Sequence, residues 1–125
     1  VGILDVTTYG KDERLIGNIH TNSHLFGDII GYENHSGQTF LGDKAAPLAT
    51  VILGAGNNTQ DNHEGAMYRH VIGSYLHGSL LPKNPAIADY LIHHAVKKKH
   101  GEEIEKKLDD TLAEKARSVA IKRPR

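Results

Sequence analysis

Cysteine is absent from this 125-residue chain, and so is tryptophan. Without cysteine, the chain can form neither disulfide bonds nor thiolate metal sites. Any reaction that needs a thiol must take that thiol from outside these residues. The chain also lacks a run of the roughly 20 apolar residues that a membrane-spanning helix requires. We therefore expect no membrane insertion.

Net charge is also absent, because 15 basic residues balance 15 acidic ones. Proteins that bind nucleic acid through their phosphates usually carry a clear basic excess, so we expect no nucleic-acid partner. No signal-peptide pattern opens the chain, which favours a cytoplasmic protein. The first residues, VGILD, are mostly apolar and include no initiator methionine. This opening predicts a strand reached from the middle of a longer protein, although tag removal or processing would give the same start.

Strand and turn patterns fill the first two-thirds of the chain. Short apolar segments predict strands at residues 1–8, 14–20, 26–30, 49–53 and 71–76. A turn is predicted at residues 7–10, and another at the GAGNN segment of residues 54–58, because glycine and asparagine tolerate positive φ. The pattern predicts one domain, with a strand-rich part at about 1–83 and a helical tail at 84–125.

Two helices are predicted in the tail. Asn84 and Pro85 provide a start signal, apolar residues recur from Ile87 at a spacing of four, and Gly101 provides a stop. A second helix is predicted from apolar residues at positions 104, 108, 112 and 116. Strands followed by helices indicate either the end of a doubly wound α/β domain or a small α+β domain.

His77 is the histidine whose position suggests chemistry. The nine histidines show no spacing typical of zinc ligands, so we predict no metal site. His77, however, directly follows the apolar segment 71–76, and functional groups in open α/β sheets gather beyond the carboxyl ends of strands. A neutral imidazole there can take a proton from a thiol and return it to a leaving amine. A histidine that is simply hydrogen-bonded at a strand end is the alternative.

Four segments in the same order carry a family resemblance. They are residues 2–5 with 14–17 (GILD and RLIG), residues 31–39 (GYENHSGQT), residues 54–58 with 64–65 (GAGNN and EG), and residues 74–78 with 81–85 (SYLHG and LPKNP). Together they resemble the CobB/CobQ-like branch of the class I glutamine amidotransferases, and most of all its GatD group. The resemblance runs from residue 2 to about residue 95. It implies an α/β fold, with this chain as the C-terminal half of one flavodoxin-like amidotransferase domain.

The resemblance implies roles for four residues. In this family a cysteine attacks glutamine and ammonia is released, which makes His77 the general base and then the general acid. Arg14 matches an arginine that holds the substrate glutamine, and a guanidinium suits an α-carboxylate because it can donate two parallel hydrogen bonds. A surface arginine is the alternative for Arg14. Glu33 and His35 match positions near the active-site edge, where either a structural role or contact with the substrate is open.

Two parts of the family's machinery are missing from these residues. The Cys-Gly-Gly elbow and the oxyanion-hole glycines are not here, so we expect the 125-residue chain alone to be inactive. Gly78 and Ser79 follow His77, so the His-x-Glu pattern of many class I members is also absent. The resemblance makes an acidic residue from a partner subunit a plausible third member of the triad.

The resemblance finally implies a reaction and a partner. It predicts a glutaminase subunit that releases ammonia from L-glutamine for a MurT-type ligase, in a heterodimer that amidates the D-glutamate of lipid II. The ligase would use ATP and magnesium, and this chain would hold no cofactor. An amidotransferase domain of corrinoid biosynthesis and a non-catalytic interaction module are the alternatives. The upstream coding sequence would separate the three. A short upstream region with Cys-Gly-Gly supports the GatD-type subunit, and a long synthetase region supports the corrinoid domain. An upstream region without cysteine supports the interaction module.

Overall fold

A long antiparallel hairpin organises the fold in the computed structural model, which describes residues 2–77, 80–104 and 108–124. Strand β1 runs Val6–Ser23 and β2 runs Gly27–Leu41, and the two pair along most of their length with one irregularity between Gly10 and Leu15. The turn Ser23–Gly27 is tight, and Gly27 takes a φ of +66° there. The hairpin therefore supplies the third and fourth of the five strands of the main sheet.

Short strands complete the main sheet on both sides of the hairpin. The sheet order is β4-β3-β1-β2-β7, and every pairing among the described residues is antiparallel. The added strands are β3 (Ala49–Leu53), β4 (His63–Glu64) and β7 (Leu76–His77). A separate two-stranded sheet is formed by β5 (Ala66–Tyr68) and β6 (Val71–Gly73). The predicted strand at 49–53 and the predicted turn at 54–58 are confirmed.

One turn prediction and one strand prediction are wrong. The predicted turn at residues 7–10 lies inside β1, because threonine and tyrosine side chains suit a strand and Gly10 stays paired with Gly37 of β2. The predicted continuous strand at 71–76 is divided between β6 and β7, which belong to different sheets. The division falls at Ser74, whose hydroxyl accepts a hydrogen bond from the Leu76 amide (2.9 Å) that a continuous strand would use in its ladder.

The helices follow the strands, as the sequence predicted. They are α1 (Leu80–Lys83), α2 (Pro85–His100) and α3 (Thr111–Ala120). The predicted start of α2 at Asn84 and Pro85 and its end at Gly101, which has a φ of +74°, are confirmed. No helix in the described part of the chain is long and apolar enough to cross a membrane.

The predicted second helix starts too early. Residues 104 and 108 lie before α3, and residues 105–107 of the predicted helix lie outside the described residues. The Asp109 carboxylate accepts hydrogen bonds from the Thr111 amide (3.0 Å) and hydroxyl (2.5 Å), so a local turn precedes the helix. Leu112 is 81% exposed, so the apolar spacing that suggested a longer helix does not correspond to a buried face.

The core lies between the sheet and α2, and it confirms the mixed α/β class. Its fully buried members come from β1, β2, β3, β7, α2 and the loop before β3, namely Ile19, Ile29, Leu48, Ala49, Leu76 and Ile87. Ile87 is 1% exposed, and burial of such a side chain contributes about 1.5–3 kcal/mol. The core thus attaches α2 to the same sheet that carries His77.

Candidate active site

His77 ends the edge strand β7 and faces solvent. It pairs directly with Tyr32 of β2, while Leu76 pairs with Glu33. Directly paired residues in antiparallel strands project to the same face, and neighbours along a strand alternate. His77 and Tyr32 therefore share one face of the sheet, and both are exposed, whereas Leu76 is buried on the other. An imidazole in this position is open to a substrate and to groups from another segment.

Arg14 lies on the same face, one strand further along. Its Nε donates a hydrogen bond to the Asn34 side-chain oxygen (2.6 Å), and Asn34 is two residues from Tyr32 on β2. Residues related diagonally across two strands, as His77 and Asn34 are, lie about 7–8 Å apart. The bond through Nε orients the guanidinium and leaves its two Nη groups able to donate to a carboxylate. The structure therefore brings His77 and Arg14 to one exposed surface.

Glu33 and His35 lie on the opposite, buried face. The Glu33 carboxylate, 0% exposed, accepts the Ala55 amide (2.9 Å) on one oxygen and the Gly56 amide (2.8 Å) on the other. The His35 ring stacks on Tyr75 with 3.7 Å between ring centres. Both residues are thus built into the interior beneath the His77 surface, and direct contact of either with substrate stays a prediction.

A second buried carboxylate, which the sequence reasoning did not single out, is hydrogen-bonded to the two residues that precede β7. One oxygen of Glu64, Oε1, accepts the Ser74 hydroxyl (3.0 Å) and the Tyr75 amide (2.9 Å). Glu64 is 0% exposed, and its other oxygen, Oε2, has no partner among the described residues. We call Glu64, Ser74 and Tyr75 the Glu64 clamp. The only signal in the sequence was that Glu64 belongs to the EG motif at residues 64–65.

Burial raises the pKa of the Glu64 carboxyl from its ordinary 4.5 to about 7. The hydrogen bonds from Tyr75 and Ser74 oppose this rise, and the nearby charge of Glu33 adds to it. Loss of hydration is the largest cause. The buried carboxylate gives up its bound water, and its oxygen Oε2 gains no hydrogen bond among the described residues in return.

The raised pKa predicts how stability depends on pH. Below pH 4.5 Glu64 is protonated in the folded and unfolded states, but between 4.5 and 7 only the folded state keeps the proton. Stability contributed by this proton is therefore lost as pH rises through about 7, by up to about 3 kcal/mol. We expect the free energy of unfolding of wild type, relative to Glu64→Gln, to fall by that amount over this range, as measured by urea denaturation of the full-length protein. A pH-independent difference would contradict the raised pKa.

Histidine rings on α2 and in the β5–β6 turn contact one another. Among the residues that the structure describes, no three histidine, aspartate or glutamate side chains are placed to hold a metal ion. His94 is half-buried against His70, with 4.1 Å between the ring centres. The His70 ring also hydrogen-bonds the Tyr90 hydroxyl (3.0 Å), so these rings join α2 to the β5–β6 turn.

The sequence was compared with models of known protein families. Residues 1–85 match the model of the CobB/CobQ-like glutamine amidotransferase domain. The chain belongs to this family. The matched residues include Arg14, Glu33, His35, Glu64 and His77, so every candidate residue described above lies within the family domain.

Individual proteins of known name are also similar to this chain. The chain is 42% identical over 123 residues to the GatD subunit of the glutamine-hydrolysing lipid II isoglutaminyl synthase of Staphylococcus aureus, covering 98% of this chain and 50% of that one. It is also 42% identical over 95 residues to GatD of Streptococcus pneumoniae, covering 75% of this chain and 36% of that one. A probable cobyric acid synthase of Methanosphaera stadtmanae is 37% identical over 87 residues, covering 62% of this chain and 17% of that one. The chain thus spans about half the length, or less, of the curated relatives it matches.

Proposed function

We propose that the full-length protein is the glutaminase subunit of a lipid II isoglutaminyl synthase. The observation that carries the proposal is the shared exposed surface of His77 and Arg14, in a chain 42% identical to a GatD subunit along 98% of its length. A general base and a carboxylate-binding guanidinium at one surface suit an α-amino acid whose side-chain amide is cleaved.

The proposed reaction divides between His77 and a cysteine outside these residues. His77 takes the proton of the thiol, and the thiolate attacks the glutamine amide carbonyl to form a tetrahedral oxyanion. His77 then protonates the departing nitrogen, which leaves as ammonia with formation of a thioester. Water, deprotonated by the same imidazole, hydrolyses the thioester to glutamate and restores the thiol. Throughout, Arg14 holds the α-carboxylate, which fixes the amide relative to the imidazole.

The ammonia has an acceptor in the proposed complex. We infer that a MurT-type ligase binds this subunit in the cytoplasm and uses ATP and magnesium to activate the D-glutamate of lipid II for amidation. Two relatives are themselves subunits of a lipid II isoglutaminyl synthase, which supports this choice. The matches to cobyric acid synthases have lower identity, 37% and 32%, so a corrinoid acceptor is the second candidate.

The test is reconstitution with both acceptors. The full-length protein, a MurT-type ligase, ATP, magnesium and glutamine should convert lipid II to its amidated form, as measured by mass spectrometry, with one glutamate formed for each amide. The isolated 125-residue chain, which lacks cysteine, is the control and should release no ammonia. Amidation of a corrinoid acid in place of lipid II would transfer the assignment to the second candidate.

Arg14 provides a separate prediction about the substrate. Arg14→Lys keeps the charge but loses the paired hydrogen-bond geometry, so we expect kcat/KM for glutamine to fall about tenfold, mainly through a higher KM. Arg14→Ala should lower it by about 10–100-fold, the loss that removal of a charge-assisted hydrogen bond of about 1.5–3 kcal/mol causes. Lys11→Ala, which removes a nearby exposed cation on β1, is the matched control. Unchanged KM and kcat in Arg14→Ala would refute the role.

A further inference from the structure

The strand that carries His77 is very short in the part of the chain that the structure describes. Two of its residues are described, and their ladder with β2 consists of the pairs Tyr32 with His77 and Glu33 with Leu76. A close approach helps, because a Cβ on Gly31 would lie 3.0 Å from the Leu76 Cβ, so a larger residue there would crowd Leu76. These contacts fix the distance between β7 and β2. The position of the two residues that precede β7 must be fixed by other contacts.

The Glu64 clamp fixes the position of these two residues. Tyr75 precedes β7 directly, and its amide donates to Glu64 Oε1 (2.9 Å). The Ser74 hydroxyl donates to the same oxygen (3.0 Å) and accepts the Leu76 amide (2.9 Å). A single carboxylate oxygen thus fixes both residues before β7 and, through Ser74, the first residue of β7 itself.

Both ends of the clamp are held in the interior. The Tyr75 hydroxyl bonds to Thr39 (2.7 Å), and its ring stacks on His35. At the other end, the Asn57 side chain donates to the Gly65 carbonyl (2.8 Å) and accepts the Gly65 amide (2.8 Å), next to Glu64 in the chain. Asn57 is 1% exposed and Glu64 0%, so the carboxylate end of the clamp is fixed in the interior.

We propose that Glu64 is a positioning residue for His77, which it places by fixing Ser74 and Tyr75 at the entrance to β7. This inference rests on the proposed function, because it gives the catalytic role to His77. Glu64 does not touch the substrate: it lies in the interior, and the His77 ring projects from the exposed face. Its effect on turnover passes through the backbone of residues 74–77.

The proposal predicts loss of turnover with little change in substrate binding. In the full-length protein, Glu64→Ala removes both hydrogen bonds. A displacement of the general base by about 1 Å can lower the rate about 100-fold. We expect kcat for ammonia release to fall about 100-fold, while KM for glutamine stays within about threefold because Arg14 belongs to β1. Glu64→Gln keeps an oxygen that can accept both bonds, and it should restore kcat to within about fivefold of wild type.

The controls separate positioning from loss of fold. Asp61→Asn alters a carboxylate in the same region. In the part of the chain that the structure describes, Asp61 accepts hydrogen bonds from the His63 amide (2.9 Å) and the Asn58 side chain (2.9 Å) and from no residue of 74–77, so the variant should leave kcat unchanged. If circular dichroism shows that Glu64→Ala is unfolded, Ser74→Ala takes its place, because this variant keeps the hydrogen bond from the Tyr75 amide to Glu64. That variant should lower kcat about tenfold at unchanged KM.

The outcomes distinguish this inference from the proposed function. Folded Glu64→Ala, or Ser74→Ala in its place, with kcat within threefold of wild type would overturn the inference and leave the proposed function standing. Absence of glutaminase activity in wild type with its ligase would instead refute the proposed function. The His77 ring resonances in NMR spectra then decide the positioning role: they should shift in Ser74→Ala and not in Asp61→Asn, and unchanged resonances would overturn it.

Discussion

Replacement of His77 by alanine in the full-length protein is expected to lower kcat for glutamine hydrolysis by about 10²–10⁴-fold, the range that a general acid–base group contributes. Both proton transfers of the proposed reaction pass through this imidazole, so its loss affects formation and hydrolysis of the thioester alike. The fold should survive, because the ring is exposed and the strand pair with Tyr32 is made by the backbone.

The measurement is steady-state ammonia release with the ligase present, together with a thermal unfolding curve for each variant. His24→Ala is the matched control, because His24 is an exposed histidine in the β1–β2 turn. It should match wild type in both measurements. A His77→Ala variant that keeps more than a third of the wild-type kcat would show that another group transfers the protons.

Local signals in the sequence predicted the elements whose causes are local. The start and end of α2 follow from Pro85, which suits a first helical position, and from Gly101, which adopts the positive φ at the end. Asn84 shows where this reasoning stops. Its side chain does not cap α2 but bonds to the backbone of Ile30, 54 residues away in the chain, as acceptor (2.9 Å) and donor (2.9 Å). No spacing rule could reveal that contact.

The strands were harder to predict because pairing determines their length. Gly10 was interpreted as part of a turn, yet it continues β1 because Gly37 on β2 is its partner. Conversely, the apolar segment 71–76 suggested one strand, and the hydroxyl of Ser74 interrupts it. In each case a residue distant in sequence, or one side-chain hydrogen bond, decides between strand and turn.

The candidate site was predictable only in part, for the same reason. His77 and Arg14 were named from motifs, and the structure brings them to one face. The motifs could not tell that Glu33 and His35 face the interior, since a strand sends alternate residues to opposite faces and the register had to be known. Glu64 was missed because it acts through hydrogen bonds to residues 10 and 11 positions later.

The partner is expected to have the second large effect, by completing the active site. The full-length subunit alone should be a poor glutaminase, and addition of the ligase at matched concentration should raise the rate about 10–100-fold. A histidine base works best when a carboxylate fixes its tautomer and stabilises the imidazolium. His77 is followed by Gly78 and Ser79 and not by the acidic residue of a His-x-Glu pattern. Its exposed ring leaves room for such a group to arrive from a partner.

An acidic residue supplied by the ligase would couple ammonia release to the presence of its acceptor, so free subunits would not waste glutamine. The glutaminase rate should be measured with and without ligase, in the absence of ATP so that activation by ligation is excluded. Sedimentation velocity on the same samples shows whether the heterodimer has formed. Equal rates in a formed heterodimer would refute completion by the partner, and an acidic residue of the full-length subunit itself would then have to orient His77.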